Sequence, residues 1–337
     1  MAHVLVLGHI HESGLDILRG RADIRVELLA APSEPEILRL APPADAIIVR
    51  TTKLSAAAID AAPKLKIVSR HGVGYDNVDM TALDRRGIPL ALVGNVNALP
   101  VAEHTLFMML ALAKEAVAYD RAMRDGNWVR RDNFSATELH GKTLLLLGFG
   151  RIGREVARRA QVFGVTVLAY DPYVRIEAML AARVQPVAKL ADALGVADFI
   201  SVHLPLSTET KGIIGAKELA AMKRTAIVIS TARGGLVDEV ALAHALQTRQ
   251  IRAAGLDVFV DEPPAPDSPL LRLDNLLLSP HIAGLTAECA MRMAQVSARN
   301  ALAGLDGTLD PDLVVNRHVL LQARAAKGQS ARTSVDR

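Results

Sequence analysis

The stretch TLLLLGFGRIGREVARRAQVFG, residues 143–164, decides the fold of this chain. Its opening TLLLL is a continuous apolar run, the sign of a strand covered on both faces. Gly148, Gly150 and Gly153 follow in Gly-x-Gly-x-x-Gly spacing, and a helical pattern starts at once behind them. Gly148 allows the tight turn out of the strand. Gly150 lets backbone approach a pyrophosphate, and Gly153 lets helix and strand pack closely. The helix N-terminus then offers free N–H groups and the positive end of its dipole to those phosphates. Strand, turn and helix in this order predict a dinucleotide site, which the glycine spacing without that context would not.

The next strand, VTVLAY at 165–170, ends at Asp171. A carboxylate at the end of this second strand accepts hydrogen bonds from the adenosine ribose hydroxyls and repels a 2'-phosphate. Neither position 172 nor 173 is Arg, so NAD is favoured over NADP. DFISV at 198–202, AIVIS at 226–230, AAGLDV at 253–258 and NLLLS at 275–279 continue the pattern, giving a parallel Rossmann sheet of six strands.

Upstream the same rhythm runs through VLVL at 4–7, IRVEL at 24–28, AIIV at 46–49, IVS at 67–69 and LAL at 90–92, a second parallel sheet. A helix over 101–118 separates the two, and Pro100 in NVNALPVAEHT marks its start and a crossing between domains. Beyond residue 279 only a helix at about 287–304 and the extended DLVVN at 312–316 remain. That is too little for a third domain, so this part is expected to return to the first.

With 337 residues, half of them apolar, the chain is long enough for two cores and too apolar for disorder. Its 39 basic and 36 acidic residues are interspersed, which argues against nucleic acid or a membrane surface as partner. Glu103, His104, Lys114 and Glu115 interrupt the most apolar helix, so no membrane span is expected. The start MAHVLVLGHI lacks the basic segment of a signal peptide, and the single Cys289 permits no intrachain disulfide. A cytoplasmic location is therefore expected. His9 and His11 have no third ligand nearby in sequence, so no metal is expected.

Three polar residues stand just past later strands: Arg233 in STARGG, Glu262 in LDVFVDEPP and His281 in SPHIAG. The carboxyl edge is where open α/β sheets bind ligands. Together they suit hydride transfer at C2 of a 2-hydroxy acid. An imidazole takes the hydroxyl proton as hydride leaves, and returns it in the reverse direction. A carboxylate beside it stabilises the imidazolium. A guanidinium fork holds the substrate carboxylate.

GFGRIG, Asp171, ISTARGGLVDE at 229–239, GLDVFVDEPP at 255–264 and SPHIAG at 279–284 resemble the D-isomer-specific 2-hydroxyacid dehydrogenase family, and the resemblance covers about residues 4–320. It implies catalytic roles for Arg233, Glu262 and His281, with Arg233 and His281 also against the cofactor. Further cofactor contacts implied are Arg151, Ile152, Leu204, Thr231, Ala232, Asp257, Ala283 and Gly284, with Asp257 near the nicotinamide amide. His104 and Thr105, at the start of the long helix, border the cofactor, and His203 and Pro205 shape its adenine-side loop. The implied fold is α/β with two doubly wound parallel-sheet domains. A Rossmann NAD domain, 100–287, is inserted in a discontinuous flavodoxin-like substrate domain, 1–99 and 288–320, and 321–337 is a flexible tail. A homodimer and hinge closure on a small acidic substrate are also implied.

At the substrate end, RHGVGYDNVD at 70–79 has Gly72 and Gly74 flanking Val73, a turn whose N–H groups suit a carboxylate. It resembles the family's substrate loop, in which Val73 would also lie near the nicotinamide. Arg50 and Arg70 both end strands and suit an acidic, phosphorylated substrate. FSATELHGKTLLLLGFGRIGREVA and the paired arginines are most similar to the family's 3-phosphoglycerate dehydrogenase branch, where a region like Arg130 and Arg131 reaches a neighbouring subunit's phosphate site. His71 replaces a smaller residue usual in that loop. No serine-sensing C-terminal domain is expected. Hydroxypyruvate or glyoxylate reduction is the second reading, and an NAD-sensing binding protein like the corepressors of this fold a third. Formate dehydrogenases carry glutamine where Glu262 stands, which disfavours that branch.

Overall fold

A computed structural model describes residues 1–321. Its contacts divide the described residues into two compact units, one of residues 1–97 and 287–321, the other Ala98–Thr286. Residues 322–337, most of the expected tail, lie outside the described residues. Among the described residues no helix is long and apolar enough to cross a membrane.

The first unit is built on strands β1 (Ala2–Leu7), β2 (Ile24–Leu29), β3 (Ala46–Val49), β4 (Ile67–Arg70) and β5 (Leu90–Ala91). They are all parallel, in the order β2-β1-β3-β4-β5. This is the flavodoxin-like order, in which the direction of winding reverses between β1 and β3. Strand alternation sends Leu5 and Leu7 into one core and Val4 and Val6 into the other. The second of these cores is closed by Ala294, Ala298 and Ala301 of the helix Ala287–Asp306. Small residues let this helix come close: a Cβ on Gly14 would lie 2.7 Å from the Ala294 carbonyl oxygen, and one on Gly304 2.6 Å from Ile67. Ser69, buried on β4, donates to the Ser297 carbonyl at 2.9 Å and ties helix to sheet.

The second unit holds β6 (Thr143–Leu147), β7 (Thr166–Tyr170), β8 (Gln185–Pro186), β9 (Phe199–Val202), β10 (Ile227–Ser230), β11 (Ala253–Leu256) and β12 (Leu276–Leu278). The order is β12-β11-β10-β9-β6-β7-β8, again all parallel. Winding reverses between β6 and β9, as in the Rossmann fold. Leu144 and Leu146 face the core shared with the helices Ala98–Ala113 and Arg151–Val162, and Leu145 and Leu147 face the opposite core. Full burial on both faces is why β6 reads as an unbroken leucine run.

Two expectations are corrected. The sheet has seven strands rather than six, because the two-residue β8 adds an edge beside β7. Two residues carry no period, and a proline is tolerated only at such an edge. The helix expected over 101–118 is instead Ala98–Ala113 followed by Ala116–Arg124. Glu115 interrupts it in left-handed conformation at φ 52°. Its carboxylate accepts from Arg252 at 3.2 Å and Ser135 at 2.9 Å, so partners more than a hundred residues away in one case hold the break.

Candidate active site

At the reversal point of the second sheet, Gly148 follows β6 with φ +99°, and a Cβ there would lie 2.7 Å from the His203 carbonyl oxygen behind β9. Gly153 is packed tighter, since its Cβ would meet the Gly148 carbonyl oxygen at 2.3 Å. A Cβ on Gly150 would meet nothing within 4 Å. Gly150 caps the helix Arg151–Val162 with no side-chain hydrogen bond, leaving first-turn N–H groups for a ligand. Asp171 ends β7 with one carboxylate oxygen on Phe149 N at 2.8 Å and the other on Tyr173 N at 3.0 Å. Each oxygen keeps a lone pair for a ribose hydroxyl. The open glycine, uncapped helix and oriented acid fit a dinucleotide. Arg151 is exposed and Ile152 half-buried at the start of the same helix.

Behind β9, the His203 Nε2 pairs with Ser201 Oγ at 2.9 Å, and burial pushes its imidazole down to about 4. Near neutral pH the ring is uncharged. Leu204 is buried and Pro205 exposed in the loop that follows.

Arg233, Glu262 and His281 follow three adjacent parallel strands, β10, β11 and β12. The His281 Nδ1 lies 2.7 Å from Glu262 Oε2, while Glu262 Oε1 accepts from Phe259 N at 3.1 Å. Both side chains are part-exposed, at 47% and 38%. Val260 N, one residue further on, donates to Glu239 at 2.6 Å, which pins this loop to the helix Glu239–Gln247. The Arg233 loop packs against it so closely that a Cβ on Gly234 would lie 1.8 Å from the Phe259 carbonyl oxygen. Arg233 itself donates to the Ala232 carbonyl at 2.6 Å.

His281 has a φ of 53°. This is a left-handed conformation that a histidine adopts only when its surroundings enforce it. Asp257 enforces it. The Asp257 carbonyl accepts from His281 N at 2.8 Å. Its carboxylate accepts from Ile282 N and Ala283 N, both at 2.9 Å. Asp257 is fully buried, so its carboxylate holds the histidine turn in place. Thr105, expected at the cofactor, is fully buried and shares a hydroxyl pair with buried Thr231 at 3.1 Å. Ala232 and Gly284 are half-buried and Ala283 buried. Three features with a part in this geometry escaped the sequence reading. Gly234 and Glu239 lie inside the quoted ISTARGGLVDE, and Ser279 opens SPHIAG, yet nothing local marks what each touches.

In the first unit, Arg50 lies at that sheet's own reversal point. It donates to the His9 carbonyl at 2.8 Å, and a Cβ on Gly8 would touch its side chain at 3.1 Å. Arg70 donates to the His71 carbonyl at 2.7 Å, and a Cβ on Gly72 would lie 2.9 Å from its guanidinium. Val73 and Gly74 are half-buried beyond. His71 is buried, and neither ring nitrogen has a hydrogen-bond partner among the described residues. Burial, then the Arg50 and Arg70 charges, bring it down to about 4. Elsewhere, the Arg130 guanidinium lies 5.7 Å from the Tyr119 ring and Arg131 5.5 Å from Trp128. Among the described residues no group of three His, Cys, Asp or Glu could hold a metal ion.

The depressed histidines make a pH prediction. Between about 6.5, the ordinary value, and about 4, the unfolded chain takes up protons at positions 71 and 203 that the native state refuses. Stability therefore falls as pH is lowered through that window, by on the order of 3 kcal/mol for each group at full depth. Urea unfolding followed from pH 7.5 down to 4.5 checks it, and His71→Leu should flatten the slope.

A reversal-point glycine turn and a strand-edge Arg, Glu and His define a dinucleotide-dependent class of protein. Comparison with known proteins narrows it. Residues 106–283 match the model of the D-isomer specific 2-hydroxyacid dehydrogenase NAD binding domain. A D-3-phosphoglycerate dehydrogenase of Archaeoglobus fulgidus is 41% identical over 302 residues, covering 88% of this chain and 56% of that protein. A glyoxylate reductase of Korarchaeum cryptofilum is 38% identical, covering 92% of this chain and 95% of that one. A crystal structure of a Thermus thermophilus protein superposes with a TM-score of 0.86 at 35% identity, covering 93% of this chain and 99% of that one. The chain thus belongs to the D-isomer specific 2-hydroxyacid dehydrogenase family, and it spans a little over half the length of the 3-phosphoglycerate dehydrogenases it resembles.

Proposed function

We propose that this protein transfers hydride between C2 of a D-2-hydroxy acid and NAD, with 3-phosphoglycerate as the leading substrate. The observation that carries the reading is the His281–Glu262 pair at 2.7 Å on a turn clamped by Asp257, at the carboxyl edge of a dinucleotide-binding sheet. Bound NAD supplies the hydride acceptor, and NADH the donor in reverse. Asp171 holds the ribose, and the glycine turn with the helix starting at Arg151 holds the pyrophosphate. Thr231, Ala232, His203, Leu204, Pro205, Ala283 and Gly284 line or support the rest of the cofactor site. Glu262 accepts from His281 Nδ1, so His281 Nε2 is the atom that takes the hydroxyl proton, and returns it to the carbonyl oxygen in reverse. Arg233 binds the substrate carboxylate.

Arg50 at its sheet's reversal point, Arg70 and the Gly72–Gly74 turn support an acidic substituent on the substrate. The match of the Korarchaeum cryptofilum glyoxylate reductase over nearly its whole length favours a second reading, reduction of glyoxylate or hydroxypyruvate. NADH consumption with phosphohydroxypyruvate, hydroxypyruvate, glyoxylate and pyruvate separates the two. The expected result is a preference for phosphohydroxypyruvate that falls at least about tenfold in Arg50→Gln and Arg70→Gln, as loss of a charged hydrogen bond would give. A preference for an unphosphorylated acid selects the second reading. No turnover on any acid favours a dinucleotide-sensing binding protein.

The assembly is proposed to be a homodimer. A groove with a volume of 560 Å³ is lined mainly by Leu106, Phe107, Leu110, Ala111 and Phe163, with Glu103, Lys114 and Arg159 also in its lining. Trp128 and Phe134 are exposed nearby in sequence. Apolar surface of this kind supports self-association. Light scattering should give twice the 36.0 kDa chain mass.

A further inference from the structure

His104 has no place in the chemistry derived above, yet it is tied to the group that shapes the catalytic turn. Its Nε2 lies 3.0 Å from Ser279 Oγ, and Ser279 Oγ lies 2.5 Å from Asp257 Oδ1. His104 Nε2 and Asp257 Oδ1 are themselves 3.8 Å apart. That is too far for a direct bond. A hydroxyl has one proton, and that of Ser279 goes to the carboxylate. Ser279 Oγ must therefore accept from His104, which fixes the imidazole as the Nε2–H tautomer. Burial pushes this histidine below its ordinary value, with Asp257 opposing, so near neutral pH the ring holds a single proton for the bond.

The result is a one-way relay, His104 N–H to Ser279 O–H to Asp257 carboxylate, part-buried and ending on a fully buried group, in which each bond polarises the next. The same carboxylate accepts from Ile282 N and Ala283 N, and the Asp257 carbonyl accepts from His281 N. The relay thus ends on the group that keeps His281 left-handed. The neighbouring residue on the helix Ala98–Ala113 acts alike: Thr105 pairs with Thr231, two positions before Arg233.

We propose that His104 and Ser279 are positioning residues for the proposed reaction, supporting through Asp257 the turn that aims His281. This rests on the reading of His281 as the proton-transfer group, but part of its test does not. Ser279→Ala and His104→Leu remove the relay. Ser279→Thr retains the hydroxyl, and His104→Gln retains an N–H near the place of Nε2.

Amide hydrogen exchange over residues 279–285 is measured on all four variants and the native protein, together with kcat and KM for the best oxo acid. Losing one part-buried hydrogen bond to or toward the carboxylate should speed exchange at Ile282 and Ala283 about tenfold in the Ala and Leu variants. Their kcat should fall about 10- to 100-fold with KM within about twofold, the split expected when orientation and not binding is lost. The Thr and Gln variants should recover most of both. Unchanged exchange in Ser279→Ala and His104→Leu overturns the proposal, as does equal damage in the conservative pair, which would mean packing alone. If the native protein turns over no acid, the proposed function fails while the exchange measurement still decides the relay.

Discussion

Replacing His281 by asparagine lowers kcat/KM for the preferred oxo acid about 10³-fold, within the range a positioned general acid contributes, while NADH binding followed by fluorescence stays within a few-fold of native. Asparagine is the informative substitution because the position has a φ of 53°. It tolerates left-handed backbone better than alanine does, so the Asp257 clamp and the turn survive. What it lacks is a group that can carry a proton to and from substrate at the place of Nε2. Glu262→Gln should fall between native and His281→Asn, since it keeps an acceptor for Nδ1 but loses the charge that stabilises imidazolium. Glu262 accepts from Nδ1 with one oxygen and from Phe259 N at 3.1 Å with the other, so the single oxygen of the amide, turned to Nδ1, gives up the Phe259 bond and the loop should loosen slightly. Retention of more than a tenth of native kcat/KM in His281→Asn would sink the assignment of His281 as the proton carrier.

The second large effect separates binding from stability within one motif. Gly150→Ala should leave the melting temperature nearly unchanged, because the added Cβ meets nothing within 4 Å and φ −76° suits any residue. It places a methyl over the uncapped helix start where the pyrophosphate is proposed to lie, and NADH affinity should fall at least about tenfold as backbone contacts are pushed away. Gly153→Ala should do the reverse. Its Cβ would lie 2.3 Å from the Gly148 carbonyl oxygen, a backbone atom that cannot swing aside. Overpacking of this kind costs about 1–3 kcal/mol. Calorimetric titration with NADH and thermal unfolding of both variants test the pair. Identical profiles for the two alanines would contradict the division of labour between these glycines.

Much of the site was legible because its parts stand at places that local pattern marks. A leucine run, three glycines and an amphipathic helix announce a strand–turn–helix unit by their spacing alone. Arg233, Glu262 and His281 each follow an apolar run closely enough to be placed at a strand end. That His281 and Glu262 then meet at 2.7 Å follows from β11 and β12 being parallel neighbours. Asp257 was expected near the nicotinamide amide through the resemblance, but the contacts its carboxylate makes within the chain were not legible. Its acidic side chain promises ligand contact, whereas the fold buries it and engages it with Ser279, Ile282 and Ala283.

By itself, then, the sequence determined two parallel α/β sheets, the glycine turn with its acid, and the residue types at the strand ends. These depend on periodicity and on neighbours a few positions apart, which a linear chain records directly. Tertiary structure alone decided the break at Glu115, the edge strand β8, the left-handed turn at His281 and the pairing of His104 with Ser279, 175 positions away. Each depends on a hydrogen bond or a close approach that exists only after distant strands have been laid side by side. No local preference encodes it, because the energy that holds it belongs to partners the segment meets only on folding.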